Sequence, residues 1–341
     1  MTISNLHSPY PQSAVITAVD WEPEVVRDAQ GKTMPSGKKD GSDNWPLTWS
    51  DDGHLYTAYG DGYGFDPLVP SKLGLGFARV IGDAGGFRGE NIRSNAENSG
   101  YGRKGKKASG ILMVDGVLYL LVRNANDNGA TSQLAWSHDK AKTWTWCDWV
   151  FEELGYPTFI NFGQNDSDAR DGYVYIVSHD NPDAYVPADR FVLARAPKEG
   201  LRDRDAYTFF KGRDRDGNPA WSPDIADRDA IFTFPGQCMR SGISYNAPLK
   251  RYLWWQVLGG QKAQGDSRFE GGFGVYDAPE PWGPWTTVYF TEKWDVGPGE
   301  SGNFPTKWMS GDGRTVFLVF SGDDNFAVRK ATLSVADTQG R

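Results

Sequence analysis

Cysteine is scarce in this sequence: 341 residues contain two, Cys147 and Cys238. Their wide separation fits neither a metal-binding nor a redox spacing, and both are read as free buried thiols rather than a disulfide. Histidine is nearly as rare, at four. No HExxH zinc pair, phosphate-cradling glycine loop or GxSxG elbow appears. No apolar run reaches the roughly 18 residues of a membrane-spanning helix, so no membrane partner is expected. The opening MTISNLHS has no basic stretch followed by an apolar core, so no signal peptide is visible and the compartment is left open between cytoplasmic and exported. Positive charge is also short, with 36 Lys and Arg against 44 Asp and Glu, a net charge of −8. That balance argues against nucleic acid or an anionic membrane as the main partner. It leaves a neutral polysaccharide, or an anionic one met by a locally basic cleft. Asp214-Arg215-Asp216-Gly217-Asn218 imitates the start of a calcium loop but lacks the remaining ligands and the distal Glu. It reads as a solvated turn, so neither a metal nor another cofactor is expected.

Glycine and aromatic residues are plentiful: 41 Gly and 14% Phe, Trp and Tyr. Together they favour many short strands joined by tight turns. One plan recurs along the chain: a polar lead-in, an apolar strand, a turn, and a second apolar strand. It is found at Asp43–Gly60, Lys107–Arg123, Thr158–Ser178, Cys238–Gln256 and Phe304–Phe320. A further hydrophobic pair follows each copy, giving about four strands per unit. The expected fold is therefore all-β, a single five-bladed β-propeller with four-stranded antiparallel blades. The blades are placed near 40–100, 105–152, 155–212, 225–292 and 300–336. A strand near 14–19 is expected to close the ring against the last blade. Ser137-His138-Asp139-Lys140-Ala141-Lys142-Thr143-Trp144 resembles the Asp-box of sialidase-type propellers, a structural signature with Ala141 where Gly is usual. Segments 62–106 and 257–271 are long enough to close one end of a funnel.

In such a fold the first strand of each blade presents its opening residues to a central funnel. The lead-ins supply Asp43 with Trp45, Lys107 with Ser109, Asn161, Arg240, and Asn303 with Lys307. Polar groups converging on one axis suit sugar hydroxyls, each of which needs a donor or acceptor. Asp43 and Asp61 lie equally far from the Asp51-Asp52-Gly53 turn, so they are expected to meet at the open end of the first hairpin. Two such carboxylates are either turn caps or the acid and base of glycosidic cleavage. His179 and Asp180, side by side, and Glu300 are weaker candidates for binding or proton transfer.

Ser42-Asp43-Asn44-Trp45 followed by Tyr59-Gly60-Asp61-Gly62 resembles the opening of a five-bladed propeller glycoside hydrolase family that includes bacterial endo-D-arabinanases. Arg240-Ser241-Gly242-Ile243-Ser244-Tyr245-Asn246 and Ala278-Pro279-Glu280-Pro281-Trp282-Gly283-Pro284-Trp285 are similar to later stretches of that family. The resemblance implies Asp43 and Asp61 as the catalytic pair. Two positions depart from the family pattern: Gly62 replaces a Thr, and Gln237-Cys238-Met239-Arg240 replaces a lead-in that carries a Glu. The expected activity is hydrolysis of a polysaccharide or oligosaccharide, furanoside-containing or acidic, with Arg93, Lys107 and Arg240 suited to a carboxylate or sulfate. Two alternatives are a polysaccharide lyase, with His179 or a tyrosine as base and Arg240 neutralising a uronate, and a non-catalytic sugar-binding propeller.

Overall fold

The computed structural model describes residues 6–27, 41–259, 271–296 and 299–336, so most of segment 257–271 lies outside the described residues. The described chain is all β, with short 3-10 turns and no α-helix. Four sheets account for its strands. One holds β2 (Leu47–Trp49), β3 (Leu55–Tyr59), β4 (Gly76–Ile81) and β5 (Arg88–Ile92) in that order. A second holds β6 (Lys107–Val114), β7 (Val117–Arg123), β8 (Ser132–Ser137) and β9 (Thr145–Trp146). The ten-stranded third sheet contains two antiparallel meanders. One runs through β10 (Thr158–Asn161), β11 (Tyr173–His179), β12 (Ala188–Pro197), β13 (Thr208–Arg213) and β14 (Pro219–Ser222). The other runs through β16 (Ser241–Asn246), β17 (Arg251–Val257), β18 (Phe273–Ala278) and β19 (Thr286–Thr291). Their first strands join them in parallel, Ile160 opposite Ile243 and Asn161 opposite Ser244. In the fourth sheet, β20 (Gly302–Asn303), β21 (Thr315–Phe320) and β22 (Ala327–Val335) are completed by the N-terminal β1 (Ile16–Arg27).

The second strand of each meander shows why these sequences form this layout. In β3 every residue is buried. Leu55 and Tyr59 enter a core shared with Val319, Phe326 and Val328, while Tyr56 and Ala58 enter one shared with Ile111, Met113 and Leu120. Successive side chains of a strand point to opposite faces, so an all-apolar strand needs a sheet on each side. The same division recurs in β11, where Tyr175 and Val177 face one cluster and Val174 and Ile176 another. In β17, Trp254 packs toward Phe191 and Trp285, and Trp255 toward Phe273 and Trp294.

The Asp-box stretch behaves as a brace between two sheets. Asp139 accepts from the Thr143 backbone N–H (2.8 Å) and hydroxyl (2.7 Å), and Trp144 stacks on Phe77 of β4 at 5.2 Å. Ala141 holds φ +69°, which explains why glycine is usual there. Asp214 caps its own turn, accepting from the N–H groups of Asp216 and Asn218. Cys147 and Cys238 are free and buried.

Two expectations shift. Segment 62–106 is not one long flap, because β4 and β5 lie within it and divide its loops into 62–75, 82–87 and 93–106. Segment 230–238, expected to open the fourth unit, forms β15 (Ala230–Cys238) and pairs with β12 instead. Phe232 and Phe234 explain this, since both bury in the core that packs against β12.

Candidate active site at the mouth of the axial channel

The first strands β2, β6, β10, β16 and β20 line one axial cavity through Leu47, Ser109, Thr158, Asn161, Ser241 and Asn303. Its volume is about 20 Å³, room for a water rather than a sugar ring. Ser109 is satisfied by the Leu121 carbonyl (3.2 Å), and Asn303 reaches the Trp45 carbonyl (3.5 Å). These residues therefore line the shaft, and any chemistry belongs at its end. At one end the first strands begin and the second strands finish. That rule gathers Asp43, Asp61, Lys107, Arg123, Tyr156, His179, Arg240 and Glu300 there.

Asp43 does not face Asp61 as symmetry about the turn predicts. The strand register pairs Leu47 with Thr57 and Trp49 with Leu55, which would set 43 opposite 61. Instead Asp43 forms a two-bond backbone bridge with Gly60, 2.8 Å each way. Asn44, at φ +55°, inserts a bulge that shifts the register by one residue. Asp61 then lies just past the bridge at φ +44°, a conformation Asp tolerates better than most residues. Gly60 is needed here because a Cβ would stand 2.7 Å from Asp43 Oδ1. Gly62 is likewise forced: a Cβ would collide with Ser42 Oγ and the Gly41 carbonyl. The departure from Thr at this position thus has a local steric cause.

The two carboxylates have different surroundings. Asp43 is buried and accepts from the Asn44 amide at 3.1 Å. Asp61 is ion-paired with Lys107 and accepts from the Gly102 N–H at 3.3 Å. Burial pulls the Lys107 ammonium below its ordinary pKa and nearby Arg123 adds to this, while Asp43 and Asp61 act in the other direction. Beside them Arg123 donates to the Tyr185 hydroxyl (2.8 Å), as does the Asn124 amide (3.0 Å). Tyr185 in turn donates to the Gly102 carbonyl (2.5 Å). Burial would raise the Tyr185 hydroxyl's pKa, but Arg123, Arg240, Asn124 and Lys107 outweigh it and the net direction is down. Tyr156, fully enclosed, goes up through burial despite Arg123 and Arg240. Arg240 is fully buried and ion-paired with Glu300.

Other residues singled out from the sequence lie apart. Trp45 is a core residue, its ring packed on Tyr59, Phe65 and Phe326 and its N–H on the Ser42 carbonyl. Arg93, just beyond the outer strand β5, is exposed and bound twice by Glu97 at 2.7 Å. Lys307 donates to the Gly82 carbonyl (2.9 Å) at the opposite end of the shaft. Asp180 turns outward to Arg190 (2.6 Å) and Arg228 (2.7 Å). Sequence reasoning missed Arg123, Asn124, Tyr156 and Tyr185. The first two had a usable signal, the polar ending of a second strand; the tyrosines had none.

His179 is wholly buried, with Nε2 donating to the Asp183 carbonyl at 3.1 Å, and burial lowers its pKa to about 4. The unfolded chain therefore binds the extra proton between pH 6.5 and about 4, and His179's contribution is lost as pH falls through that window. The free energy of unfolding of wild type minus that of His179→Gln should rise by roughly 3 kcal/mol from pH 4 to 6.5. Taking the difference matters because Asp166, pushed up to about 6 by burial, titrates in the opposite sense. Urea unfolding across this range tests it; a flat difference rules the assignment out.

No protein-family model matches the sequence, and no curated protein matches it. Solved structures are similar in shape. A glycosyl hydrolase from Bacteroides ovatus aligns over 88% of this chain and 87% of its own, with a TM-score of 0.50 and 13% identity. The RS223 β-xylosidase aligns over 87% and 95%, TM-score 0.51 and 12% identity. The catalytic domain of the Coprinopsis cinerea GH62 α-L-arabinofuranosidase aligns over 90% and 95%, TM-score 0.50 and 10% identity. At such identity the likeness establishes a shared fold.

Proposed function

We propose that this chain is a glycoside hydrolase of five-bladed propeller architecture that cleaves a glycosidic bond in a polysaccharide or oligosaccharide with Asp43 and Asp61. The blades are β2–β5, β6–β9, β10–β13, β16–β19, and β20–β22 closed by β1, all in one domain. The observation that carries the reading is the placing of two differently surrounded carboxylates at the end of the shaft where all five lead-ins converge. Glycosidic cleavage needs one carboxyl that delivers a proton and one carboxylate that acts as base or nucleophile. Asp61, ion-paired with Lys107, takes the ionised role, and Asp43, which makes no ion pair among the described residues, is left the proton-carrying role. The shared fold with a xylosidase and an arabinofuranosidase supports a carbohydrate substrate, and the Asp43 to Asp61 spacing supports kinship with endo-D-arabinanases.

A second reading, a uronate lyase, is favoured by Tyr185, whose hydroxyl accepts from Arg123 and Asn124 and gives up its proton more readily than an ordinary phenol. His179 does not serve it, being enclosed and bonded to Asp183. One experiment separates the two: purified protein against a glycan panel, reading reducing ends and ultraviolet absorbance of unsaturated products together. Hydrolysis gives reducing ends alone; a rise in both selects the lyase; neither, with glycan binding retained, selects a non-catalytic propeller.

A further inference from the structure

The cations that the sequence offers for an anionic substrate are each already matched. Arg93 is held by Glu97, Lys107 by Asp61 and Arg240 by Glu300. Arg103, at the rim, is held by Asp183 at 2.5 Å. Arg123 is the exception. It is 1% exposed, lies at the mouth end of β7, and pairs with no carboxylate among the described residues. Its Nη1 donates to the Tyr185 hydroxyl, and its Nε meets no acceptor. The guanidinium also lies over two rings, Tyr156 at 5.4 Å and Tyr185 at 5.1 Å. Burying a guanidinium carries a large desolvation cost, and here ring faces and one phenol stand where a carboxylate would ordinarily pair with it. Burial works against its charge, while Tyr185, Tyr156 and Asp43 act electrostatically in its favour and the net direction of its pKa is up.

We infer that Arg123 and Asn124 form a subsite for a carboxylate on the substrate, so that the glycan cleaved here is a uronate-bearing one. This rests on the hydrolase reading above for the reaction but not for the binding. Two donors, Arg123 Nη1 and Asn124 Nδ2, converge on one oxygen at 2.8 and 3.0 Å. That oxygen is the Tyr185 hydroxyl, on the half-buried loop between β11 and β12. A neutral phenol oxygen thus occupies the place where a carboxylate oxygen binds with greater strength, since charge-assisted hydrogen bonds are roughly twice as strong as neutral ones. Rotation of Tyr185 away from the Gly102 carbonyl hands Arg123 Nη1 to the incoming group, together with the Asn124 amide, which also donates to the Gly102 (3.1 Å) and Gly105 (3.3 Å) carbonyls. The planar guanidinium fork suits a carboxylate, and its Nε gains the acceptor it lacks.

The test is binding, measured by calorimetry on the full chain with matched probes: the methyl glycosides of glucuronate and galacturonate against those of glucose and galactose. Wild type is expected to bind at least one uronate about tenfold or more tighter than its neutral partner, with the preference weakening as salt rises. Arg123→Lys keeps the charge but not the fork and is expected to lose about threefold of that preference, and Arg123→Met all of it. Tyr185→Phe, which removes the occupying oxygen, is expected to bind the uronate as tightly as wild type or tighter. Equal binding of uronate and neutral probes by wild type overturns the inference, and this comparison stands even where a variant does not fold. So does a uronate preference undiminished in Arg123→Lys. Cleavage of neutral glycans without uronate preference leaves the hydrolase standing and removes this subsite. Uronate preference without any cleavage does the reverse.

Discussion

Asp43→Asn is expected to lower turnover by about 10²- to 10⁴-fold while leaving the melting temperature within a degree or two of wild type. Its carboxylate makes no ion pair among the described residues, and its structural role is carried by its backbone bridge to Gly60, which Asn keeps. Asp61→Asn should lose activity to a similar extent but should also unfold more easily. It strips Lys107, whose side chain is 2% exposed, of its carboxylate partner. Lys107 is dry while the Asp61 side chain is 24% exposed, so losing the partner costs about 2 kcal/mol, a few degrees in a protein this size. The double variant Asp61→Asn with Lys107→Met should recover most of that stability and none of the activity. Full activity in both single aspartate variants would sink the catalytic assignment. Unchanged stability in Asp61→Asn would sink the account of the Lys107 pair.

The second large effect is expected at the Arg240–Glu300 pair. Both side chains are sealed from solvent, at 0% and 5% exposure. Glu300→Gln leaves a fully buried guanidinium without that carboxylate, and the expected loss is about 3–5 kcal/mol in chemical denaturation. Arg240→Met combined with Glu300→Met should return much of it, because an apolar pair of similar volume avoids the cost of drying two charges. The sequence offers Glu300 as an alternative catalytic carboxylate, and the same variant decides between the roles. A structural Glu300 shows its effect in denaturation. A variant of wild-type stability without turnover would move Glu300 into the chemistry.

Much of the fold was legible because strand periodicity is local. The unbroken apolar runs of β3, β11 and β17 call for a neighbour on both faces, and Asp-Gly turns mark where four of the five inner hairpins reverse. The lead-in residues Asp43, Lys107, Arg240 and Glu300 were legible for the same reason, since a first strand must begin at the mouth. The register of the first hairpin was not. Counting from the turn pairs Asp43 with Asp61, and only the left-handed backbone at Asn44 reveals the one-residue slip.

By itself, then, the sequence determined an all-β chain of repeated hairpins with acidic and basic residues collected at one end of an axis. It also singled out the two aspartates on which the proposed glycosidic chemistry rests. Tertiary structure alone decided how the charges at that end are matched. Lys107 meets Asp61 across 46 residues and Arg123 meets Tyr185 across 62, distances over which no sequence pattern reports contact. Charge is written in each residue, but compensation depends on separation and burial, which arise only when the sheets close around a common axis. Among the described residues, that closure left Arg123 as a buried cation without a paired carboxylate.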